Sequence, residues 1–164
     1  MKRIINLVLI FTSLNIFGQS KHETEEWIIQ KYNEFERPIN NGFDLTIEND
    51  CLLYLWYVGD EKTGKFGGTS KVKLKDIKMI EIRHERYNSN DIIGWSKIQV
   101  HFDEGNYEYR EIGESEFRKG EGTGFKILLD SKFMDNDLPT RMEKGLTHLV
   151  KLNGGNLKIK KEPF

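Results

Sequence analysis

Cysteine and proline are scarce in this chain, which has one cysteine and three prolines among 164 residues. The single cysteine, Cys51, excludes an intramolecular disulfide. The fold must therefore be held by apolar burial in place of the cross-links that are common in small exported domains. The position of Cys51 also excludes lipid attachment at a cleavage-site cysteine near the amino terminus. Ten Phe, six Tyr and three Trp supply the large side chains that such a core needs.

An excess of charge of one sign is also missing. The formal net charge is −1, and the longest basic block is the short one between Lys158 and Lys161. Acidic and basic residues are otherwise interspersed along the chain. Proteins that bind nucleic acid normally carry a basic face or stripe, so the sequence argues against a nucleic-acid partner.

The amino terminus has the three parts of a secretory signal peptide. Lys2 and Arg3 precede a mostly apolar run over 4–17. This run is shorter than the roughly 20 residues that a helix needs to cross a bilayer, which disfavours a permanent transmembrane anchor. Gly18 and Ser20 then form a small-x-small cleavage pattern just before a strongly polar segment.

We therefore predict a signal peptide over residues 1–20 and a single globular domain over residues 21–164. The mature amino terminus is expected between Gln19 and Lys21. The protein is expected in the periplasm, most plausibly of a Gram-negative bacterium, or outside the cell. A buried amino-terminal strand is the alternative, and it leaves the two positive charges at the start of the chain unexplained.

The residue pattern after the leader predicts an α+β domain. Thr24 as N-cap, with Glu25 and Glu26 in the first turn, predicts a helix that ends before Pro38. Alternating apolar and polar runs then predict about six or seven antiparallel strands in a bent sheet or a partly open barrel. The uncharged run over 51–58 is expected to be a strand covered on both faces.

An amphipathic helix at the carboxyl end is expected to close over the sheet. Pro139 suits its first turn, and Gly154 with Gly155 suits its end. Polar, glycine-rich stretches over 59–70 and 113–124 are interpreted as loops, because neither has the pattern of a phosphate-binding loop. The apolar stripe of the closing helix consists of Leu138, Met142, Leu146, Leu149 and Val150.

A meander of strands that ends in one amphipathic helix resembles the pleckstrin-homology-like superfold, a bent antiparallel sheet plugged by its last helix. The segment over 72–80 resembles the stretch in which those domains enter a central strand, and the likeness covers 43–153. Members that bind phosphoinositides use basic residues in the first hairpin loop. Here 48–50 reads Glu-Asn-Asp, so the resemblance implies the fold and not that ligand. In length, leader and element order, the chain also resembles small exported Bacteroidota proteins of unknown function.

One group of side chains could carry acid–base chemistry. His101 and Asp103 alternate along a predicted strand and so share a face, where Glu81 or Glu85 could join them if the strands pair. No third ligand at close spacing supports a metal site, and no Gly-x-Ser-x-Gly motif supplies a nucleophile. Cys51, within an apolar strand, is expected to be an inert thiol. We therefore assign no catalytic, cofactor-binding or metal-binding residues.

The leading hypothesis is an exported, non-catalytic binding or interaction domain whose partner is a protein or a small molecule. A periplasmic hydrolase with a site near His101 and Asp103 is one alternative. The other alternative is an immunity-type protein that masks a toxin through an acidic rim of Asp60, Glu61, Glu114 and Glu116.

Three aromatic residues could in principle stack on a ligand. Trp56, Tyr57 and Trp95 are interpreted as core residues and not as a stacking platform.

Overall fold

A computed structural model describes residues 20–35, 43–58, 66–86, 94–135 and 137–157. Within these ranges the protein is α+β with antiparallel strands and a helix at each end, as its sequence predicts. The helices are α1 (Lys21–Glu34) and α2 (Leu138–Leu152). The strands are β1 (Phe43–Glu48), β2 (Cys51–Val58), β3 (Phe66–Lys73), β4 (Ile77–Arg86), β5 (Gly94–Phe102), β6 (Tyr107–Glu111), β7 (Arg118–Lys119) and β8 (Gly124–Asp130).

Several predicted features lie outside the described residues. They are the leader up to residue 19, Pro38, Asp60, Glu61 and the side chains of Tyr57, Glu85 and Trp95. Neither of the two described helices is long and apolar enough to cross a membrane.

The strands form two antiparallel sheets. The first sheet has the order β1-β2-β3-β6-β7, and the second has the order β4-β5-β8. The chain enters the second sheet through a 3-10 turn at Leu74–Asp76 and returns to the first through the short turn between β5 and β6. Both central residues of the β1–β2 hairpin, Asn49 and Asp50, have positive φ angles, which is the geometry that matches the twist of the flanking strands. The described strands do not close into a barrel.

Two strands lie where the glycine-rich stretches predict loops. β3 starts at Phe66, and β7 is a two-residue strand, which brings the described strands to eight. Gly68 in β3 is opposite Glu111 of β6, and a Cβ built on Gly68 would lie 2.4 Å from the carbonyl oxygen of Arg110. This glycine therefore permits the close approach of two backbones and does not mark a flexible loop.

Helix α1 starts one turn earlier than predicted. Its N-cap is Ser20 and not Thr24: the Ser20 Oγ accepts a hydrogen bond from the Glu23 N–H at 3.2 Å, and the Glu23 carboxylate accepts one from the Ser20 N–H at 2.7 Å. This reciprocal arrangement is a capping box. Thr24 lies inside the helix and is buried. The distinguishing signal was present in the sequence, since Ser20 is followed three residues later by a glutamate and Thr24 by Trp27.

The core lies between the two sheets and beneath the two helices. Tyr54 of β2 joins the sheets, because its ring stacks on Phe125 of β8 with centroids 6.1 Å apart and its hydroxyl accepts a hydrogen bond from the Leu128 N–H at 3.3 Å. The stripe predicted for α2 is confirmed. Its fully buried members are Met142, Leu146, Leu149 and Val150.

The uncharged strand β2 is covered more on one face than on the other. Leu52 is fully buried in the core, whereas Leu53 and Leu55 on the opposite face are half-buried. On that face Lys71, opposite Leu53 in register, forms an ion pair with Glu108 at 2.7 Å. Long charged side chains can cover apolar surface with their methylene groups. The face of β2 away from the core is therefore only partly covered, whereas the sequence predicts full cover on both faces.

Candidate binding groove

Acidic side chains are concentrated on the first helix and the first hairpin. Residues 20–35 and 43–50 contain seven carboxylates and two lysines, a formal charge of −5, whereas the whole chain carries −1. Because α1 packs against β1, these two segments form one surface, which we call the acidic face. Its carboxylates belong to Glu23, Glu25, Glu26, Glu34, Asp44, Glu48 and Asp50.

A groove of about 620 Å³ opens on the acidic face between α1 and β1. Its apolar floor consists of Ile29 from α1 and Ile47 from β1, both of them half-buried. Ile28 and Tyr32 lie on the face of α1 that packs into the core. Ile29 lies on the neighbouring face of the helix, and that face lines the groove. The other lining side chains, all from α1, are His22, Glu25, Glu26, Gln30 and Asn33.

Glu25 and Glu26, the two carboxylates that line the groove and that we call its rim, are only partly compensated by neighbouring cations. The Lys21 ammonium binds the carboxylate of Asp50, and this hydrogen bond is the main cause that raises the pKa of Lys21. The same ammonium is 3.9 Å from Glu25. Glu26 lies 3.2 Å from the His22 Nε2, a partner that is a cation only when protonated, and Glu26 is 66% exposed. The rim therefore presents negative charge to an incoming cation.

The two residues expected to carry acid–base chemistry contact different partners. His101 Nε2 lies 3.4 Å from Oε2 of Glu81, and the same oxygen lies 2.8 Å from Arg83. Asp103 follows the end of β5, is 65% exposed and lies 3.4 Å from Lys78. The structure therefore brings His101 to Glu81, while Asp103 makes its ion pair elsewhere. Within the described ranges, no group of three or more His, Cys, Asp or Glu side chains is placed to bind a metal ion.

A buried lysine lies on the same sheet face as His101. Lys97 is only 5% exposed, although alternation along β5 predicts a solvated position for it. Its pKa is lowered, first by burial and then by the charges of Lys126 and Arg83, while Glu81 acts in the opposite direction. No sequence signal distinguishes Lys97 from the other lysines, because its burial depends on which strands flank β5.

The predicted toxin-masking rim includes Glu114 and Glu116. Glu114 accepts a hydrogen bond from the Glu111 N–H at 2.8 Å and lies 3.6 Å from Arg118, so its charge is partly compensated. Glu116 is exposed. The more strongly acidic surface is the one on α1 and β1, which sequence reasoning missed because the two segments are separated along the chain.

Cys51 is buried at the start of β2, with 5% of its surface exposed. Desolvation is the main cause that raises the pKa of its thiol, and the charge of Lys71 opposes that shift. A thiol with a raised pKa yields little thiolate, which is the nucleophilic form. Its burial agrees with the inert thiol that the sequence predicts.

Comparisons with protein-family models, with curated proteins and with solved structures find no match for this chain.

Proposed function

We propose that this chain is an exported, non-catalytic binding protein whose groove holds a cationic segment of a partner polypeptide. The observation that supports this most is the apolar floor of Ile29 and Ile47 set within the acidic face. Carboxylates at the rim favour lysine or arginine in the partner and disfavour acidic segments. The isoleucines offer apolar contact, which supplies binding free energy that exposed ion pairs alone do not.

The open shape of the groove favours a polypeptide over a small molecule. Small-molecule sites are commonly enclosed clefts that bury most of the ligand surface. A segment of a larger partner can fill an open groove and still contact the acidic face around it. An immunity-type role is one form of this proposal, in which the partner is a toxin with a basic surface.

Synthetic peptides test the proposal directly. A peptide that alternates lysine and leucine should bind the purified mature protein, and the same peptide with glutamate in place of lysine should not. Calorimetric titration measures both dissociation constants. Replacing two rim carboxylates, Glu25→Gln with Glu26→Gln, should weaken binding of the lysine peptide by roughly five- to thirtyfold.

A charge-matched control separates the groove from the net charge of the molecule. Glu104 and Glu143 are exposed and lie outside the groove, so Glu104→Gln with Glu143→Gln changes the net charge by the same amount. This control should bind the lysine peptide as the native protein does. Equal weakening in both double variants, or equal binding of the glutamate peptide, would refute the groove as the binding site.

A hydrolase is the second candidate, and the contact between His101 and Glu81 is the observation that favours it. A carboxylate beside an imidazole can orient it as a general base. Under this alternative, His101→Ala would abolish hydrolysis of chromogenic ester or peptide substrates without changing peptide binding in the groove. Under the binding proposal, the native protein has no such activity to lose.

A further inference from the structure

Ser20 is bound to the first turn of α1 by more than its side chain. Its carbonyl oxygen accepts hydrogen bonds from the Thr24 N–H at 3.1 Å and from the Thr24 hydroxyl at 3.2 Å. Its Oγ and its N–H complete the capping box with Glu23. Thr24 is 2% exposed, so its two donors lie where water cannot readily replace a lost acceptor. The helix therefore depends on a residue that the leader pattern places at the cleavage site.

Cleavage after Ser20, which the small pair Gly18 and Ser20 favours, would remove all of these contacts. The buried donors of Thr24 would lose their acceptor, which is costly for buried polar groups. The new α-ammonium would then belong to Lys21, at the positive end of the helix dipole, where a cation is unfavourable. A mature chain that begins at Lys21 would thus carry an uncapped first helix.

Cleavage on the amino side of Ser20 keeps the capping box. If the cut falls directly before Ser20, its amide nitrogen becomes an α-ammonium and already lies 2.7 Å from the Glu23 carboxylate. A hydrogen bond between an ammonium and a carboxylate is stronger than one between neutral groups. If the cut falls after Gly18, Ser20 keeps its peptide N–H and the box is unchanged.

We infer that signal-peptide processing spares Ser20, so that the mature chain begins at Gln19 or Ser20 and not at Lys21. The step is hydrolysis of one peptide bond: water gives its hydroxyl to the carboxyl end of the leader and a hydrogen to the new amine. This inference rests on the export part of the proposed function. It places the cut no further along the chain than the peptide bond directly before Ser20, the N-cap of α1.

The amino terminus of the protein isolated from its native host tests the inference. Intact mass and sequencing of the terminal peptide should find Gln19 or Ser20 as the first residue. A terminus at Lys21 would overturn the inference and leave export standing. An uncleaved chain would overturn both.

Thermal unfolding of three purified chains, starting at Gln19, Ser20 and Lys21, tests the physical cause. The chain that starts at Ser20 should melt at or above the chain that starts at Gln19, and the chain that starts at Lys21 should melt below both by roughly 3–8 °C. In the longest chain, Ser20→Ala should reproduce part of that loss and Ser20→Thr should restore most of it. Equal melting temperatures for the Ser20 and Lys21 chains would show that the cap gives no reason to spare Ser20.

Discussion

Lys97 illustrates how a residue that alternation assigns to solvent can end up buried. Its position on β5 shares a sheet face with Gln99 and His101, yet its exposed fraction is far lower than theirs. Burial disfavours the charged form of a lysine, and neighbouring cations act in the same direction. The protein therefore folds against an electrostatic cost at this residue, and that cost depends on pH.

The free energy of unfolding should change with pH as the Lys97 ammonium loses its proton. Its folded-state pKa lies below the ordinary value of 10.5, so between these two pKa values the unfolded chain binds more protons than the folded one. The penalty is fully present at neutral pH and is relieved as the pH rises towards 10.5. Urea unfolding at several pH values measures the free energy of unfolding of the native protein and of Lys97→Met. Relative to this variant, the native protein should become more stable as the pH rises through this window. The same series with Lys144→Met, at an exposed position on α2, is the matched control.

Cys51 gives a second test at the scale of the residue. Because the thiol is buried and its pKa is raised, a thiol-specific reagent should label the native protein slowly and the denatured protein at once. Mass spectrometry before and after addition of denaturant measures the labelled fraction. Rapid labelling of the native protein would mean that the first residue of β2 is open to solvent.

Among the elements, α2 was the most predictable and α1 and β3 were the least. Helix α2 has proline in its first turn, glycine after its end and apolar residues at helical spacing, and these signals agree with one another. The start of α1 is predicted one turn late because both Ser20 and Thr24 are N-cap residue types, and Thr24 is followed at once by two glutamates. The start of β3 is hard to predict because Gly67 and Gly68 suggest a loop, and only the pairing with β6 shows why position 68 is a glycine.

The stripe of α2 leads to a prediction about stability. Leu146 is 1% exposed at the centre of the stripe, so Leu146→Ala removes apolar burial and leaves a cavity. The expected cost is about 2–5 kcal/mol in the free energy of unfolding, measured by urea titration. Lys144, exposed on the same helix, is the control, and Lys144→Ala should change stability by less than about 0.5 kcal/mol. Equal effects would mean that the buried face of α2 is a different one.

Gly120, which follows β7, and Gly145, within α2, should respond oppositely to replacement by alanine. A Cβ at Gly120 would lie 2.2 Å from the Tyr107 ring, which is stacked on Phe102, so Gly120→Ala should destabilise the protein by roughly 1–3 kcal/mol. A Cβ at Gly145 in α2 would meet Ile28 at an ordinary 3.5 Å, so Gly145→Ala should stabilise it by roughly 0.5–1 kcal/mol. Thermal unfolding of the two variants measures both changes in stability. A stable Gly120→Ala protein would show that the Tyr107 ring can move aside.

At the scale of the whole molecule, the feature that matters most for the proposed function is the acidic face. The fold class follows from hydrophobic periodicity, which local sequence carries. The face does not, because it forms only when α1 packs beside β1, and the near-zero net charge of the chain conceals a charge of −5 on these segments. The sequence therefore predicts the architecture, but it does not predict the surface on which we place the partner.

Mapping of the bound surface by nuclear magnetic resonance would show whether a cationic peptide occupies the groove between α1 and β1. Backbone amide shifts of the labelled mature protein would be followed during titration with the lysine–leucine peptide. We expect the largest changes in α1 and β1, at Glu25, Ile29 and Ile47, with changes that weaken as salt is added because exposed charges are screened. Changes centred instead on His101 and Lys126 of the second sheet, or no saturable change at all, would refute the groove as the binding site.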